Sequence, residues 1–409
     1  MATVVLVGTL DTKGMEYGWL RARLRELGCE TVLIDAGTGE PQIEADVPAG
    51  RVAEAAGTSL EALREAGDRG AAVTAMGEGA AVVVAELAAA GRVDAVLAVG
   101  GSGGSSIAAR AVRDLPIGLP KLIVSTMASG DVSPYVGAKD VTITYSVVDV
   151  AGINRVSRLI LGNAAAAVAG MAKAHAEAPH GEATATQATE RPLVGASMFG
   201  VTTPAVNVAR ERLEELGYEV LVFHATGAGG RALEGLAGSG LLAGVLDLTT
   251  TELADDLVGG VLSAGPDRLT AAGRHGVPQV VAPGALDMVN FGPRDTVPER
   301  FQGRNLYLHN PTVTLMRTTP DEMAELGRRV AAKLSAATGP TALFVPLGGV
   351  SALDAPGLPF HDPKADAVCF EALRGAAVDT VRLDININDP AFGRAMADRL
   401  HQLITGAPS

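Results

Sequence analysis

The stretch "VVLVGTLDTKGMEYGWLRARLREL", residues 4–27, contains the unit from which the rest of the chain is built. An apolar run over residues 4–7 ends at Gly8, and the apolar side chains of residues 15–27 recur at helical spacing. Two threonines, an aspartate and a lysine lie between these two segments. The stretch therefore predicts a strand, a polar loop and a helix in succession.

The same order recurs through the first half of the chain. β-rich runs at residues 31–34, 95–99 and 121–125 each end at Gly, Ser, Thr or Asp, and helical patterns occupy residues 80–90 and 154–174. Strands that alternate with helices in this way predict right-handed βαβ units and a parallel sheet.

A polar, Thr- and Ala-rich segment without periodicity, residues 175–192, interrupts this pattern, which then resumes. We therefore predict two Rossmann-like, doubly wound α/β domains with mainly parallel sheets, at 1–177 and 192–409, joined by a linker at 178–191. The strand, glycine and helix blocks of the second half are residues 192–200, 218–230, 244–256, 278–292, 341–354 and 379–389.

Composition supports this fold class and narrows the function. The chain of 409 residues is 47% hydrophobic but only 3% aromatic, with 50 glycines, which suits close packing of helices on parallel sheets. A net charge of -13 without a basic run argues against nucleic-acid binding. Two cysteines, no signal peptide and no apolar stretch of membrane-spanning length indicate a soluble, cytoplasmic protein without a membrane partner.

The polar loop of the opening stretch resembles a phosphate-binding loop but lacks the Walker A spacing GxxxxGK[ST]. Hydroxyl groups, backbone amides and one lysine at the start of a helix suit an anionic ligand such as phosphate. The alternative is that Asp11 or Thr12 caps the helix and Lys13 is solvated. The candidate residues are Gly8, Thr9, Asp11, Thr12 and Lys13.

A second loop, "AVLAVGGSGGSS" at residues 95–106, has four glycines within five positions and leads into a helix expected to open at Ser105 or Ser106. So many glycines carry an entropic cost unless the backbone approaches another group closely. A phosphate at the helix N-terminus is one such group, and tight packing of the helix on its strand is the alternative. The candidates here are Gly100, Gly101, Ser102, Gly103 and Gly104.

Two further features lie at predicted strand ends. The loop over residues 125–141 carries Ser129 and Gly130, and Asp35 ends the second strand, where it holds ribose hydroxyls or caps the next loop. Ligands of open α/β sheets bind at the carboxyl ends of the strands. The three loops together predict a site for a phosphate-bearing ligand.

In the second half, His224 precedes a glycine-rich turn at residues 227–230 that suits a carboxylate or phosphate. Glu234 lies one turn into the next helix, and His309 occupies another strand end. We name His224, His309 and Glu234 as acid/base candidates, a hydrogen-bonded structural histidine being the alternative for His224. His361 and Asp362 are left open. The histidines show no metal-binding spacing, although Mg²⁺ can accompany a nucleotide.

Blocks along nearly the whole chain resemble the Tm-one-like ATP-binding family, which includes a tomato mosaic virus resistance protein. The resemblance implies two Rossmann-like subdomains, ATP bound to the first, and self-association into a homo-oligomer. It maps ATP onto the GTLDTK turn and the GGSGG turn, with Ser129 and Gly130 nearby. The matching blocks include "GTLDTKG", "GGSGGSS", "STMASGDVSPYVG", "HATGAGGRALE", "LDLTTTELAD" and "NLYLHNPTVTLMRTT".

Two hypotheses of function follow. The first is an ATP-binding enzyme, a lyase or hydrolase, that acts on a small acidic metabolite in an interdomain cleft by C–C bond cleavage or hydrolysis of a carbonyl compound. The second is a nucleotide-responsive regulatory or binding protein without turnover.

Overall fold

The structure, a computed structural model, describes residues 1–178 and 191–407. The chain divides into two compact units, Met1–Ala188 and Thr189–Ser409. Of the linker predicted at 178–191, all but the two end residues lie outside the described residues.

The N-terminal unit alternates strands and helices along its described residues. Its strands are β1 (Thr3–Gly8), β2 (Glu30–Asp35), β3 (Ala95–Gly100), β4 (Lys121–Ser125) and β5 (Val141–Tyr145). Its helices are α1 (Leu10–Glu26), α2 (Ala49–Ala55), α3 (Leu60–Ala66), α4 (Arg69–Ala89), α5 (Ser102–Val112), α6 (Ser133–Val136) and α7 (Arg155–Glu177). The strands form one parallel sheet in the order β2-β1-β3-β4-β5.

Both faces of this sheet are covered by helices. Leu6 of β1 packs in a buried cluster with residues of α1 and α7, whereas its neighbour Val7 belongs to a second cluster with residues of α2, α4 and α5. Successive residues of a strand point to opposite faces, so a sheet covered on both sides needs apolar residues throughout its strands. All six residues of β3 are accordingly buried. The doubly wound α/β class predicted from the sequence is confirmed.

Helix α4 is the one helix of the described residues that is long and apolar enough to cross a membrane. Its buried side chains include Met76, Ala80 and Val84, which pack in the cluster beneath the sheet. Half of its most apolar stretch is buried inside the protein.

The C-terminal unit contains a second parallel sheet, in the order β14-β13-β9-β8-β6-β7. The strands are β6 (Leu193–Met198), β7 (Glu219–His224), β8 (Leu242–Thr249), β9 (Gln279–Gly284), β10 (Met288–Phe291), β11 (Leu306–Asn310), β12 (Val313–Arg317), β13 (Thr341–Pro346) and β14 (Asp379–Leu383). The helices are α8 (Thr203–Glu215), α9 (Ala228–Ala237), α10 (Glu252–Val258), α11 (Ala271–Arg274), α12 (Pro320–Ser335), α13 (Pro363–Leu373) and α14 (Pro390–Thr405).

The sequence prediction was wrong for one part of this unit. Residues 278–292 were expected to continue the strand and helix alternation, but β9 is followed directly by β10. Strands β10, β12 and β11 form a separate antiparallel sheet that is inserted between β9 and β13 along the chain. Val289 and Met316 of this sheet face the core cluster that also contains Leu343 of the parallel sheet, so the insertion is anchored by apolar burial.

Candidate functional site

A cavity of about 580 Å³ lies in the N-terminal unit at the carboxyl ends of β1 and β3. The two strands are neighbours, but β1 pairs onward with β2 and β3 pairs onward with β4. The order of the sheet therefore reverses between them, which is where open α/β sheets bind ligands. The cavity walls are drawn from residues 9–13, 36–38, 63–76 and 100–107, together with Asp149.

The predicted polar loop at residues 9–13 is the first turn of α1. Thr9 is the N-cap, with extended backbone and no capping bond from its side chain, so neither Asp11 nor Thr12 is the cap. The helix departs from helical backbone angles at Lys13, where φ is -126° and ψ is 18°. This kink separates the first turn from the rest of α1. Thr9, Asp11, Thr12 and Lys13 all line the cavity.

The glycine-rich segment is also the beginning of a helix, because α5 starts at Ser102 rather than at Ser105 or Ser106. The N-cap residue, Gly101, has no side chain with which to cap the first-turn amides. An uncapped helix N-terminus offers free N–H groups and the positive end of the helix dipole to an anion. All five predicted residues from Gly100 to Gly104 line the cavity.

One glycine of this segment is required by a close approach of the backbone. A Cβ atom on Gly100 would lie 3.0 Å from the Cα of Gly104, so the strand end and the first turn of α5 are in direct contact. Tight packing therefore explains Gly100. It does not explain Gly103, whose added Cβ would have no neighbour closer than 3.7 Å.

Three basic side chains line the same cavity: Lys13, Arg64 and Arg69. The Lys13 ammonium donates to the carbonyl of Val150, and Arg64 donates to the carbonyls of the loop after β2, at Thr38 and, at 3.1 Å, Gly39. Arg69 is exposed and forms no ion pair with any residue that the structure describes, whereas the guanidinium of Arg64 also lies 3.5 Å from the carboxylate of Glu40. The guanidinium of Arg69 faces Gly103, because a Cβ built on that glycine would lie 3.9 Å from its Nη2.

The carboxylates at the cavity have separate roles. Asp11 accepts a hydrogen bond from the amide of Gly39 through Oδ2 at 2.8 Å, while its Oδ1 is buried without a hydrogen-bond partner. Asp68 caps α4 by accepting from the amide of Ala71 at 3.0 Å. Asp149 lines the cavity and is exposed.

Asp35 belongs to the architecture of the loop. Its Oδ1 accepts from the amides of Leu10, at 3.0 Å, and Gly37, at 2.9 Å, and the residue is buried. Burial raises the pKa of Asp35, against the lowering effect of these two hydrogen bonds. Of the two alternatives for Asp35, the loop cap is the one that these contacts match.

Three other predicted residues lie outside the cavity walls. Gly8 ends β1 beneath the ring of Tyr17, and a Cβ atom at Gly8 would overlap that ring. Ser129 and Gly130 are exposed in a turn after β4, in which the amide of Gly130 donates to the carbonyl of Met127 at 3.2 Å.

The glycine turn of the C-terminal unit does bind an anion, but the anion is internal. The amides of Gly227 and Gly230 both donate to Oε1 of Glu252, at 2.6 Å and 3.0 Å. Gly227 has a φ of +81°, which only glycine adopts readily. A Cβ atom on Gly230 would overlap the Glu252 carboxylate. The turn is therefore occupied by the protein's own side chain.

Glu234 is also engaged in structure. Its carboxylate accepts from the amides of Leu269, Thr270 and Ala271 at 2.6–3.1 Å and lies 3.2 Å from the guanidinium of Arg268. Arg268 is fully buried and also binds Asp247 and Glu252. This network of one arginine and three carboxylates joins α9, β8 and α10 to the segment before α11.

The two histidine candidates lie on different sheets of this unit. His224 ends the edge strand β7, is exposed, and packs edge to face against Phe199 with ring centroids 6.2 Å apart. His309 is exposed on β11, the edge strand of the antiparallel sheet. No hydrogen bond or ring contact joins the two side chains.

Of the two residues left open, Asp362 caps α13 by accepting from the amides of Lys364 and Ala365. The Nδ1 atom of His361 lies 3.8 Å from Oδ1 of Asp354, which is buried. Among residues 1–178 and 191–407, no three His, Cys, Asp or Glu side chains are grouped so that they could hold a metal ion.

Comparison with known sequences gives the family of the chain. Residues 2–177 match the N-terminal domain of the Uncharacterised protein family (UPF0261), and residues 191–404 match its C-terminal domain. The chain belongs to the UPF0261 family. A UPF0261 protein of Clostridium tetani is 52% identical over 402 residues, which cover 97% of this chain and 98% of that protein. A UPF0261 protein of Rhizobium meliloti is 49% identical over 400 residues, 97% of each chain.

The tomato relatives confirm the resemblance found in the sequence. The ToMV resistance protein Tm-1(GCR237) of Solanum lycopersicum is 46% identical over 308 residues, which cover 74% of this UPF0261 chain and 40% of the tomato protein. The tm-1(GCR26) protein from susceptible tomato matches at the same identity and coverage.

Sequence reasoning missed one wall of the cavity in this UPF0261 protein. Leu63, Arg64, Asp68 and Arg69 come from the end of α3 and the start of α4, which were not predicted as part of a site. Their only local signal is "LREAGDRG", residues 63–70, where two arginines flank a glycine that breaks the helical pattern.

Proposed function

We propose that the N-terminal unit binds ATP, or a ligand with a similar phosphate chain, in the cavity between the ends of β1 and β3. The observation that carries this proposal is the uncapped N-terminus of α5, which opens into a cavity lined by Lys13, Arg64 and Arg69. Free amides and guanidinium groups are the donors that phosphate oxygens accept from most strongly.

The basic side chains differ in the bonds that each would have to give up in order to bind a phosphate. Arg69 is without an ion pair among the described residues and faces Gly103, so it would meet the phosphate without losing another bond. Lys13 would exchange the carbonyl of Val150 for a phosphate oxygen. We therefore propose that Arg69 and the α5 amides are the main groups that bind the phosphate.

The remaining wall suits the base of a nucleotide. Leu63, Val73, Met76 and Ile107 supply apolar surface from α3, α4 and α5. The volume of about 580 Å³ lies in the range of small-molecule sites. A ligand that carries both a charged chain and an apolar ring matches this mixed lining.

A magnesium ion that accompanies the nucleotide would meet Asp11 and the hydroxyls of Thr9 and Thr12. Asp11 Oδ1 has no partner in its buried position, and the two hydroxyls lie 3.0 Å apart. Mg²⁺ in nucleotide sites is held mostly by phosphates and water, with one or two protein carboxylates. The ion would neutralise phosphate charge beside Asp11.

Binding without turnover is the better supported of the two hypotheses of function. Glu234 is committed to Arg268 and three amides, and the amides of Gly227 and Gly230 are committed to Glu252. A metabolite in the C-terminal unit would have to displace these buried bonds. We therefore propose a nucleotide-responsive binding protein, in which occupancy of the N-terminal cavity is the signal.

Isothermal titration of the full chain with ATP and Mg²⁺ tests the binding site. We expect Arg69→Ala to weaken ATP by about tenfold or more, because a charge-assisted hydrogen bond is lost. Arg113→Ala is the matched control, since Arg113 is exposed at the opposite end of α5. Equal affinities of Arg69→Ala and wild type, or no binding by wild type, would contradict the proposed site.

Turnover is tested separately by following ADP formation from ATP at saturating nucleotide. We expect no ADP beyond the uncatalysed background, with or without added organic acids. ADP formation by wild type above this background would contradict the binding-only proposal, and its loss in His224→Ala would assign the turnover to the C-terminal unit.

A further inference from the structure

Tyr17 of α1 lies under the floor of the cavity, although it does not line it. The side chain is fully buried, and its hydroxyl donates to the carbonyl of Val7 at 2.6 Å and accepts from the amide of Val99 at 2.8 Å. Val7 belongs to β1 and Val99 to β3. One phenol therefore binds both strands at the point where they begin to diverge.

The pairing of the strands shows where this divergence starts. The β1–β3 ladder ends at Val7 and Ala98. Both strands continue to pair with their outer neighbours, Gly8 with Asp35 and Gly100 with Ser125. The sheet thus opens only between β1 and β3, and it opens at the level of the Tyr17 hydroxyl.

The neighbouring residues are shaped around this side chain. A Cβ atom on Gly8 would overlap the Tyr17 ring, so the glycine at the end of β1 is what gives the ring its space. Burial raises the pKa of Tyr17 further above neutral, and the protonated hydroxyl acts as a donor and an acceptor at once.

We infer that Tyr17 is a positioning residue that sets the separation between the start of α1 and the start of α5, and so the spacing of the groups that bind the ligand. Beyond Val7 the chain leads to Thr9 and Lys13, and beyond Val99 it leads to Gly101 and the α5 amides. The inference rests on the proposed function for the identity of the ligand, and on the hydrogen bonds of Tyr17 for the spacing itself.

Tyr17→Phe tests the inference, because it keeps the ring and removes only the hydroxyl. We expect ATP to bind the variant about tenfold more weakly in isothermal titration, at a temperature where circular dichroism shows the variant folded. Tyr145→Phe is the matched control, since Tyr145 is an exposed tyrosine of the same unit. A residue that only stabilises the fold would lower the melting temperature and leave the ATP affinity of the folded protein unchanged.

Amide hydrogen exchange separates this inference from the proposed function. In Tyr17→Phe we expect faster exchange at the amides of Lys13 and Ser105, which donate to the carbonyls of Thr9 and Gly101 at the two helix starts, as well as at Val99. If wild type does not bind ATP but Tyr17→Phe still shows this change in exchange, ATP is not the ligand, while the role of Tyr17 in spacing the two helix starts is supported. Wild-type ATP affinity in Tyr17→Phe, or an exchange change confined to Val99, would overturn the positioning role.

Discussion

The guanidinium of Arg268 donates to the carboxylate of Glu252 at 2.6 Å, and both side chains are fully buried. The same arginine binds Asp247 and Glu234, while Glu252 also accepts from the amides of Gly227 and Gly230. These polar side chains of the C-terminal unit therefore bind one another and connect its helices and strands. This relationship assigns Glu234 and the glycine turn to structure.

Arg268→Met is expected to destabilise the C-terminal unit strongly. Removing the arginine leaves Glu252 and Asp247 buried without their counter-charge, which costs about 3–5 kcal/mol when a buried pair is broken. Urea unfolding measures the loss. Arg274→Met is the control, because Arg274 pairs with Asp267 at the surface and should lose less than about 1 kcal/mol. Similar losses in the two variants would contradict the buried network.

Gly229→Ala is expected to lower stability because the backbone of the turn leaves no room for a methyl group. The added Cβ would overlap the carbonyl of His224, which belongs to β7 and cannot rotate away. Overpacking of this kind costs about 1–3 kcal/mol. Gly303→Ala, with no atom within 4 Å of its added Cβ, should change the melting temperature little. If Gly229→Ala melts like wild type, the close approach at this turn is refuted.

The stability of the C-terminal unit is expected to fall between about pH 4 and pH 7. Burial raises the pKa of Asp287 to about 7, against the opposing charge of Arg317, and Asp354 adds to the increase. In this window the native carboxyl holds a proton that the unfolded chain releases, so the free energy of unfolding decreases as the pH rises. Above pH 7 this contribution is constant.

Urea unfolding of Asp287→Asn as a function of pH tests this expectation. The free energy of unfolding of the variant should decrease less steeply with pH than that of wild type, by up to about 1.4 kcal/mol per pH unit. Asp366 and Asp255, whose pKa values burial also raises to about 7, account for the slope that remains. Asp295→Asn, at an exposed position, should behave as wild type. Superimposable pH profiles for Asp287→Asn and wild type would rule out the raised pKa.

Periodicity predicted the two parallel sheets because buried strands and covering helices leave strong apolar patterns. It placed the starts of α1 and α5 several residues late, since hydroxyl groups and glycines are favoured in loops and in first helical turns alike. The antiparallel insertion was missed because β10 and β12 are buried almost throughout, like the strands of the parallel sheets, and so do not show the alternation of apolar and polar residues that marks a half-exposed antiparallel strand.

Residues that line the cavity were predicted only where they follow strands. Thr9, Lys13 and the segment Gly100–Gly104 were found this way, and they line the cavity. Arg64 and Arg69 come from helices that reach the cavity only through tertiary packing, so no local pattern marked them. The same limit applies to Glu252, which fills a glycine turn 22 residues before it in the chain.

A crystal structure of the protein with ATP and Mg²⁺ would locate the nucleotide directly. We expect phosphate density within hydrogen-bond distance of the amides of Ser102, Gly103 and Gly104, with the Arg69 guanidinium on the same phosphate group. Density for ATP at any other place in the chain, with this helix N-terminus left to solvent, would contradict the proposed site.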